Sequence, residues 1–446
     1  MFGSKNRRFF ATSADTFYVL LKLVIGASLV LFYWMNIPLW LDNLNGTSNT
    51  PKFYVLLIIF SLLLFIRKPA LSLEYIKSKY FLWCMALLVM FSINLVRLKN
   101  GDYSTSSVSD ELDKLQVFLA APVIGYILTQ LELKYLKPFF LVLPVLCALF
   151  ILFDFLYPGA IIPVNQVKDL FGSSGTRVAG PWLNANAGGE ATVLSLFICG
   201  VLIKKPSYIF AAVFALAGLA VIATGSRAGL IAFGLIGIYF FVSRKLPLPF
   251  LIIPILIGLN FNSLLDQLEI AATNAGRELG IEAVRERLEF VTGTTSNTDT
   301  SSESRTDIMR DSFLEALEKP LFGHGIEFRD IQWHVSSHNM ATWFFYTYGI
   351  FGFIAWLSLA FIIVKNGQYS LNAIAAALGY LWFSMFTHNM LANLFWLTFF
   401  AIFAVLFSND IRRFDSIGID LKMDSQPKRR RKRRRKRRRK RSPIEK

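Results

Sequence analysis

The chain has 446 residues, 54% of them hydrophobic, with 42 Phe and a mean hydropathy of +0.47. Its apolar residues come in long unbroken blocks without the alternation of a half-buried helix or strand, which excludes an ordinary soluble domain and a β-barrel and points to membrane helices. Of the net charge of +17, fourteen units are the Lys/Arg run from Lys428 to Arg441, so the remainder of the chain carries only +3.

In chain order, apolar segments over 17–35, 53–66, 80–96, 115–130, 138–157, 188–203, 207–223, 228–242, 246–260, 341–364, 371–386 and 391–407 predict an all-α integral membrane protein of about twelve spans. The first apolar run lacks a small-residue cleavage pattern and reads as a retained span. Lys and Arg mark alternate connections: Arg67, Lys68, Lys77 and Lys79, then Lys134 and Lys137, Lys204 and Lys205, Arg244 and Lys245, and Lys365. These share a side with Lys5, Arg7, Arg8 and the basic tail, which makes that side cytoplasmic. The tail reads as disordered and as touching anionic headgroups, with no nucleic-acid partner expected. Residues 1–260 therefore hold helices 1 to 9, 261–338 a long helical loop on the outer face, 339–408 the last three helices, and 409–446 the tail. Within the loop, Asn262 to Phe290 reads as an amphipathic helix or helix pair. Thr292 to Ser304 reads as a Ser/Thr-rich linker, and a second helix is expected from about Arg305 to Leu317, stopped by Pro320 and Gly323. Cys84, Cys147 and Cys199 all fall in apolar runs and read as packing thiols.

The polar chemistry gathers on the outer face. Arg227, in Ala-Thr-Gly-Ser-Arg-Ala-Gly-Leu, sits where the seventh span meets the eighth with almost no loop. Its planar, permanently charged fork suits a phosphate, the plain alternative being an arginine that snorkels at a span end. Arg305 lies near the start of the loop helix, where free backbone amides also favour an anion, although exposed helices carry arginines routinely. Arg177, just ahead of the sixth span, is a third outer-face arginine. Asn184 and Asn186 read either as sugar contacts or as helix caps. His338 lies at a helix start, where a neutral imidazole able to accept a proton is favoured, the alternative being a structural histidine. His324, His334 and His388 are its competitors. His334 and His338 have the i, i+4 spacing of a zinc helix but no carboxylate arrangement with it, so neither metal nor cofactor is expected.

The motifs resemble those of the O-antigen ligase and Wzy-type polymerase superfamily of bacterial membrane glycosyltransferases. Arg177 to Asn186 resembles its Arg-x-x-Gly-x-x-x-Asn-x-Asn element, with Ala185 where many members have proline. Thr224-Gly225-Ser226-Arg227 resembles its Thr-x-Ser-Arg turn. Ser304-Arg305 with Pro320-Leu321-Phe322-Gly323-His324-Gly325 resembles its Ser-Arg…Pro-Leu-x-Gly-x-Gly element, and His338-Asn339 with Gly349 and Gly352 its His-Asn…Gly-x-x-Gly element.

The resemblance implies a GT-C-like fold in the bacterial inner membrane with both termini cytoplasmic and a periplasmic site. It implies an undecaprenyl-diphosphate-linked glycan as donor, lipid A core as the favoured acceptor, and metal-independent inverting transfer. By the same resemblance, Arg227 and Arg305 hold the diphosphate and His338 activates the acceptor hydroxyl. Arg177, Asn184, Asn186, His324 and His388 are further candidate donor or acceptor contacts. A polymerase with a second lipid-linked glycan as acceptor is the nearest rival, ahead of a protein O-oligosaccharyltransferase. A twelve-span transporter is the rival from another class. It would need ionisable groups at mid-membrane, and only Asp154 and Glu190 stand there.

Overall fold

The computed structural model describes residues 4–45, 50–67, 74–99, 119–131, 133–157, 160–161, 178–203, 206–247, 263, 266–267, 270, 300–325, 339–387 and 390–406. Among them the regular structure is all helical. Helix α1 (Ser4–Ala27) runs on through a π-helical turn to Tyr33 and is followed by α2 (Ile37–Asn45), α3 (Thr50–Arg67) and α4 (Lys79–Lys99). Next come α5 (Leu119–Gln130), α6 (Leu133–Leu156), α7 (Ala185–Leu202), α8 (Tyr208–Thr224) and α9 (Arg227–Val242). The series closes with α10 (Thr300–Ala316), α11 (Met340–Asn366), α12 (Leu371–Ser384) and α13 (Leu394–Ala401).

Every expected span coincides with an apolar helix except 246–260, which lies almost wholly outside the described residues. Five stretches are long and apolar enough to cross a membrane: Thr16–Tyr33, Lys79–Arg97, Tyr135–Leu156, Ala185–Leu202 and Met340–Asn366. The other apolar stretches, such as Tyr54–Ile66 and Leu394–Val405, run 10–17 residues, below the roughly 20 of a perpendicular crossing. The expected amphipathic stretch from 262 to 290 falls largely outside the described residues, as does the tail.

Helix α7 is the centre of the bundle, with 89% of its length buried against α6, α8 and α9. Its small residues allow close approach on every face, which is how helices associate where lipid offers no hydrophobic drive. Tryptophans tie the neighbours together by donating indole N–H groups to helix carbonyls. Trp34 reaches Ala191 at 3.2 Å, Trp83 reaches Ala355 at 2.8 Å and Trp382 reaches Ala228 at 3.1 Å. Past the end of α9, the Lys245 ammonium donates to the Gly200 carbonyl at 2.7 Å and closes the far end of α7. Burial there lowers its pKa to about 8.

Helix α11 is not continuous, although its sequence reads as one uninterrupted apolar span. At Gly349 the backbone turns to φ 66°, ψ −151°. The Tyr346 and Thr347 carbonyls, which would serve the next helical turn, accept instead from the amides of His324 (2.8 Å) and Gly325 (3.1 Å). The Ile350 amide in turn donates to the Pro320 carbonyl at 2.7 Å. The segment from Pro320 to Gly325 is thus inserted into the helical ladder. The insertion pairs three of the backbone groups freed at the break, as breaking a helix in a membrane requires.

Candidate functional site

Three consecutive residues of α7 draw together the 178–182 segment, the Arg227 turn and Thr387. A Cβ on Gly188 would stand 2.7 Å from the Ala179 carbonyl oxygen, so the 178–182 segment lies directly on α7. A Cβ on Gly189 would meet Ser226 Cβ at 2.9 Å, in the turn that carries Arg227. Glu190, next in line, pairs with Thr387 Oγ1 at 2.5 Å and accepts from Trp396 Nε1 at 2.8 Å. Three segments far apart in sequence therefore meet at one helix start.

The local chemistry fixes each segment. Asn184 caps α7, its side chain accepting from the Asn186 amide at 2.9 Å. Asp154 of α6 accepts from the amides of Ala179 (3.3 Å) and Gly180 (3.0 Å), and the Trp182 indole donates to the Trp34 carbonyl at 2.9 Å. Between α8 and α9 the chain turns on two residues. Gly225 takes the left-handed conformation at φ 59°, and Ser226 caps α9 by accepting from the Gly229 amide at 3.2 Å. Arg227 is the first residue of α9 and half-buried. A cation at a helix N-terminus works against the helix dipole, whereas an anion docked there is favoured by both the guanidinium and the free amides.

At the start of α11, Asn339 caps the helix by accepting from the Thr342 amide at 3.0 Å. Its amide group donates to the Met385 carbonyl at 3.3 Å, two residues ahead of Thr387. The helix start expected beside His338 is therefore present, although His338 itself lies outside the described residues.

The inserted loop is held from both sides. His324 is 8% exposed, places Nε2 2.8 Å from the Glu315 carbonyl at the end of α10, and stacks on Tyr346 at 4.8 Å. Arg97 of α4 donates to Asn94 Oδ1 (3.0 Å) and to the Phe322 (3.2 Å) and Gly323 (3.3 Å) carbonyls. From Arg97 an apolar cavity of about 1120 Å³ runs between α4 and α11, lined by Leu82, Val89 and Ile93 on one side and Phe351 and Ile354 on the other.

Two sequence-based expectations change here. Helix α10 begins at Thr300, not near Arg305, because Thr300-Ser-Ser-Glu303 is itself a helix-start pattern. Arg305 is consequently a second-turn residue, and free N-terminal amides do not assist it. Of the two readings of Asn184, the structure shows the cap. His324 packs the inserted loop against α10 and α11. Arg177, His334, His338 and His388 lie outside the described residues, as does the side chain of Arg305. Among the described residues no group of three or more His, Cys, Asp and Glu could hold a metal.

The chain's residues identified only from the structure are Asp154 and Glu190 in their anchoring roles, with Thr387 and Trp396. A carboxylate inside an otherwise apolar run was the one available signal. Nothing in the local sequence names its partners, which lie 197 and 206 residues away.

An all-helical membrane protein with its polar groups drawn to one end around a buried, small-residue helix start is the class that fold and site define. Comparison with known families then adds one match: residues 212–357 match the family model described as O-antigen ligase. The match runs from within α8 through α9 and α10 into α11 and includes Arg227, Arg305, His324 and His338. No curated protein matches the chain significantly.

Proposed function

We propose that the protein is an O-antigen ligase that moves a glycan from undecaprenyl diphosphate to the lipid A core. The observation that carries this reading is the meeting of the Arg227 turn, the 178–182 segment and Thr387 on Gly188, Gly189 and Glu190, within a chain whose residues 212–357 match the O-antigen ligase family model. The site is assigned to the periplasmic face of the inner membrane, with both termini cytoplasmic, by the distribution of Lys and Arg. The twelve-span count and the domain limits at 260, 338 and 408 belong to the same proposal.

In this mechanism the diphosphate is the leaving group. Arg227 and Arg305 neutralise the charge that develops on it as the sugar–phosphate bond breaks, and the start of α9 adds its amides. His338 takes the proton from the attacking hydroxyl of the acceptor, and attack from the opposite face inverts the anomeric carbon. Exclusion of water at the bundle end strengthens each of these interactions. Arg177, Asn186 and His388 are assigned the role of glycan contacts in the same proposal. The apolar cavity that starts at Arg97 is suited to the polyprenyl chain of the donor.

Deleting the gene and examining the glycolipids tests the assignment. A ligase defect strands full-length polymer on its lipid carrier and leaves bare core. Core bearing a single repeat unit would assign the protein to the polymerases instead.

A further inference from the structure

We propose that Glu190 is a positioning residue of the transfer site, holding the two histidine-bearing segments in register with the Arg227 turn. The inference rests on the functional reading above. Glu190 is 1% exposed, in the second turn of α7 and inside a span. Its two oxygens are engaged by Thr387 Oγ1 at 2.5 Å and Trp396 Nε1 at 2.8 Å, and no ion pair to it occurs among the described residues. A carboxyl group placed in an apolar span is expensive, and packing alone would be served more cheaply by leucine or methionine. What a carboxyl group adds is a rigid fork with two oxygens, able to hold donors from two separate elements at once.

The bonds continue beyond Thr387. This residue immediately precedes His388, and two positions earlier the Met385 carbonyl accepts from Asn339 Nδ2 at 3.3 Å. Asn339 caps α11 and immediately follows His338. Gly189, adjacent to Glu190, lies against Ser226, which caps α9 directly before Arg227. A displacement at Glu190 is thereby transmitted to the segments carrying both histidines, while the arginine turn, seated on Gly189, stays in place. The reaction is sensitive to such a change because the base and the leaving-group clamp are carried by separate segments of the chain.

The test uses the full-length protein purified in detergent, with Glu190→Ala and Glu190→Gln. Two quantities are read: kinetics of transfer from lipid-linked glycan to lipid A core, and backbone hydrogen exchange, which needs no substrate. For Glu190→Ala the expected result is a fall in kcat of about 100-fold, the cost of an ångström-scale misplacement, with the donor KM within about threefold. Exchange accelerates in peptides covering 338–342 and 383–388 and stays unchanged over 300–316. The Gln variant accepts from Trp396 and donates to Thr387, so it restores kcat to within about fivefold and restores the exchange pattern. A Glu190→Ala protein with kcat near wild type overturns the proposal. So does exchange raised uniformly over all helices, the mark of general destabilisation. If the wild type itself yields no conjugate, the assigned activity fails, and the exchange data still decide whether Glu190 couples the two segments.

Discussion

Arg227 occupies the first position of α9, after a two-residue turn whose glycine is left-handed and whose serine is the cap. The guanidinium is therefore anchored at its backbone, and what varies is only the shape of the charge it presents. Arg227→Lys keeps the charge and loses the paired donors, so transfer is expected to fall by about 100-fold in kcat/KM, the scale of one oxyanion contact. A steady-state assay on membranes normalised for protein level checks this. The residue was legible because a turn that short is visible in Thr-Gly-Ser-Arg itself. Glu190 was legible only as a buried ionisable group, because its meaning depends on Thr387 and Trp396, which sequence distance hides. Asn184 shows the converse: both its readings were open in the sequence, and only the 2.9 Å bond to the Asn186 amide selects the cap.

Elements were legible wherever their cause is local. Runs of apolar residues fixed the positions of α3, α4 and α6 to α9 to within a few residues, as the exclusion of backbone polar groups from lipid requires. The break in α11 was not legible, because hydropathy reports burial and the break comes from a loop that precedes the helix by some twenty positions in sequence. Gly323 and Gly349 are the two residues that permit it. Both have φ of 66°, and a Cβ would lie 2.5 Å from the Thr347 carbonyl at Gly323 and 2.4 Å from the Leu321 carbonyl at Gly349. Gly349→Ala accordingly meets a left-handed backbone cost of about 1–3 kcal/mol in addition to a clash with main chain that cannot swing away. The expected outcome is a lower thermal midpoint in detergent than wild type. Gly379→Ala, inside α12 where a Cβ meets nothing within 4 Å, serves as the control and is expected to melt at or slightly above the wild-type midpoint.

For the molecule as a whole, the sequence placed its polar chemistry at one interface, and the bundle assembles the described part of it at one end. The means of assembly is α7, whose small residues let three remote segments approach a single helix start. The stretch 212–357 that matches the family model contains the arginine turn, α10 and the inserted loop, while α7, on which the arginine turn is seated, lies before it in the chain. The motifs supply the proposed chemistry, and packing around α7 brings the 178–182 segment, the arginine turn and Thr387 together. The account as a whole requires that a guanidinium clamp and an imidazole base act on the same lipid-linked donor. Its most direct test is glycan transfer by the purified protein, from polyprenyl-diphosphate glycan to lipid A core with chelator present, comparing wild type with His338→Ala. The account expects conjugate from the wild type at an undiminished rate in chelator, and none from His338→Ala although that variant still binds donor. Conjugate formed by His338→Ala at the wild-type rate, or wild-type activity lost in chelator and restored by a divalent metal, would contradict it.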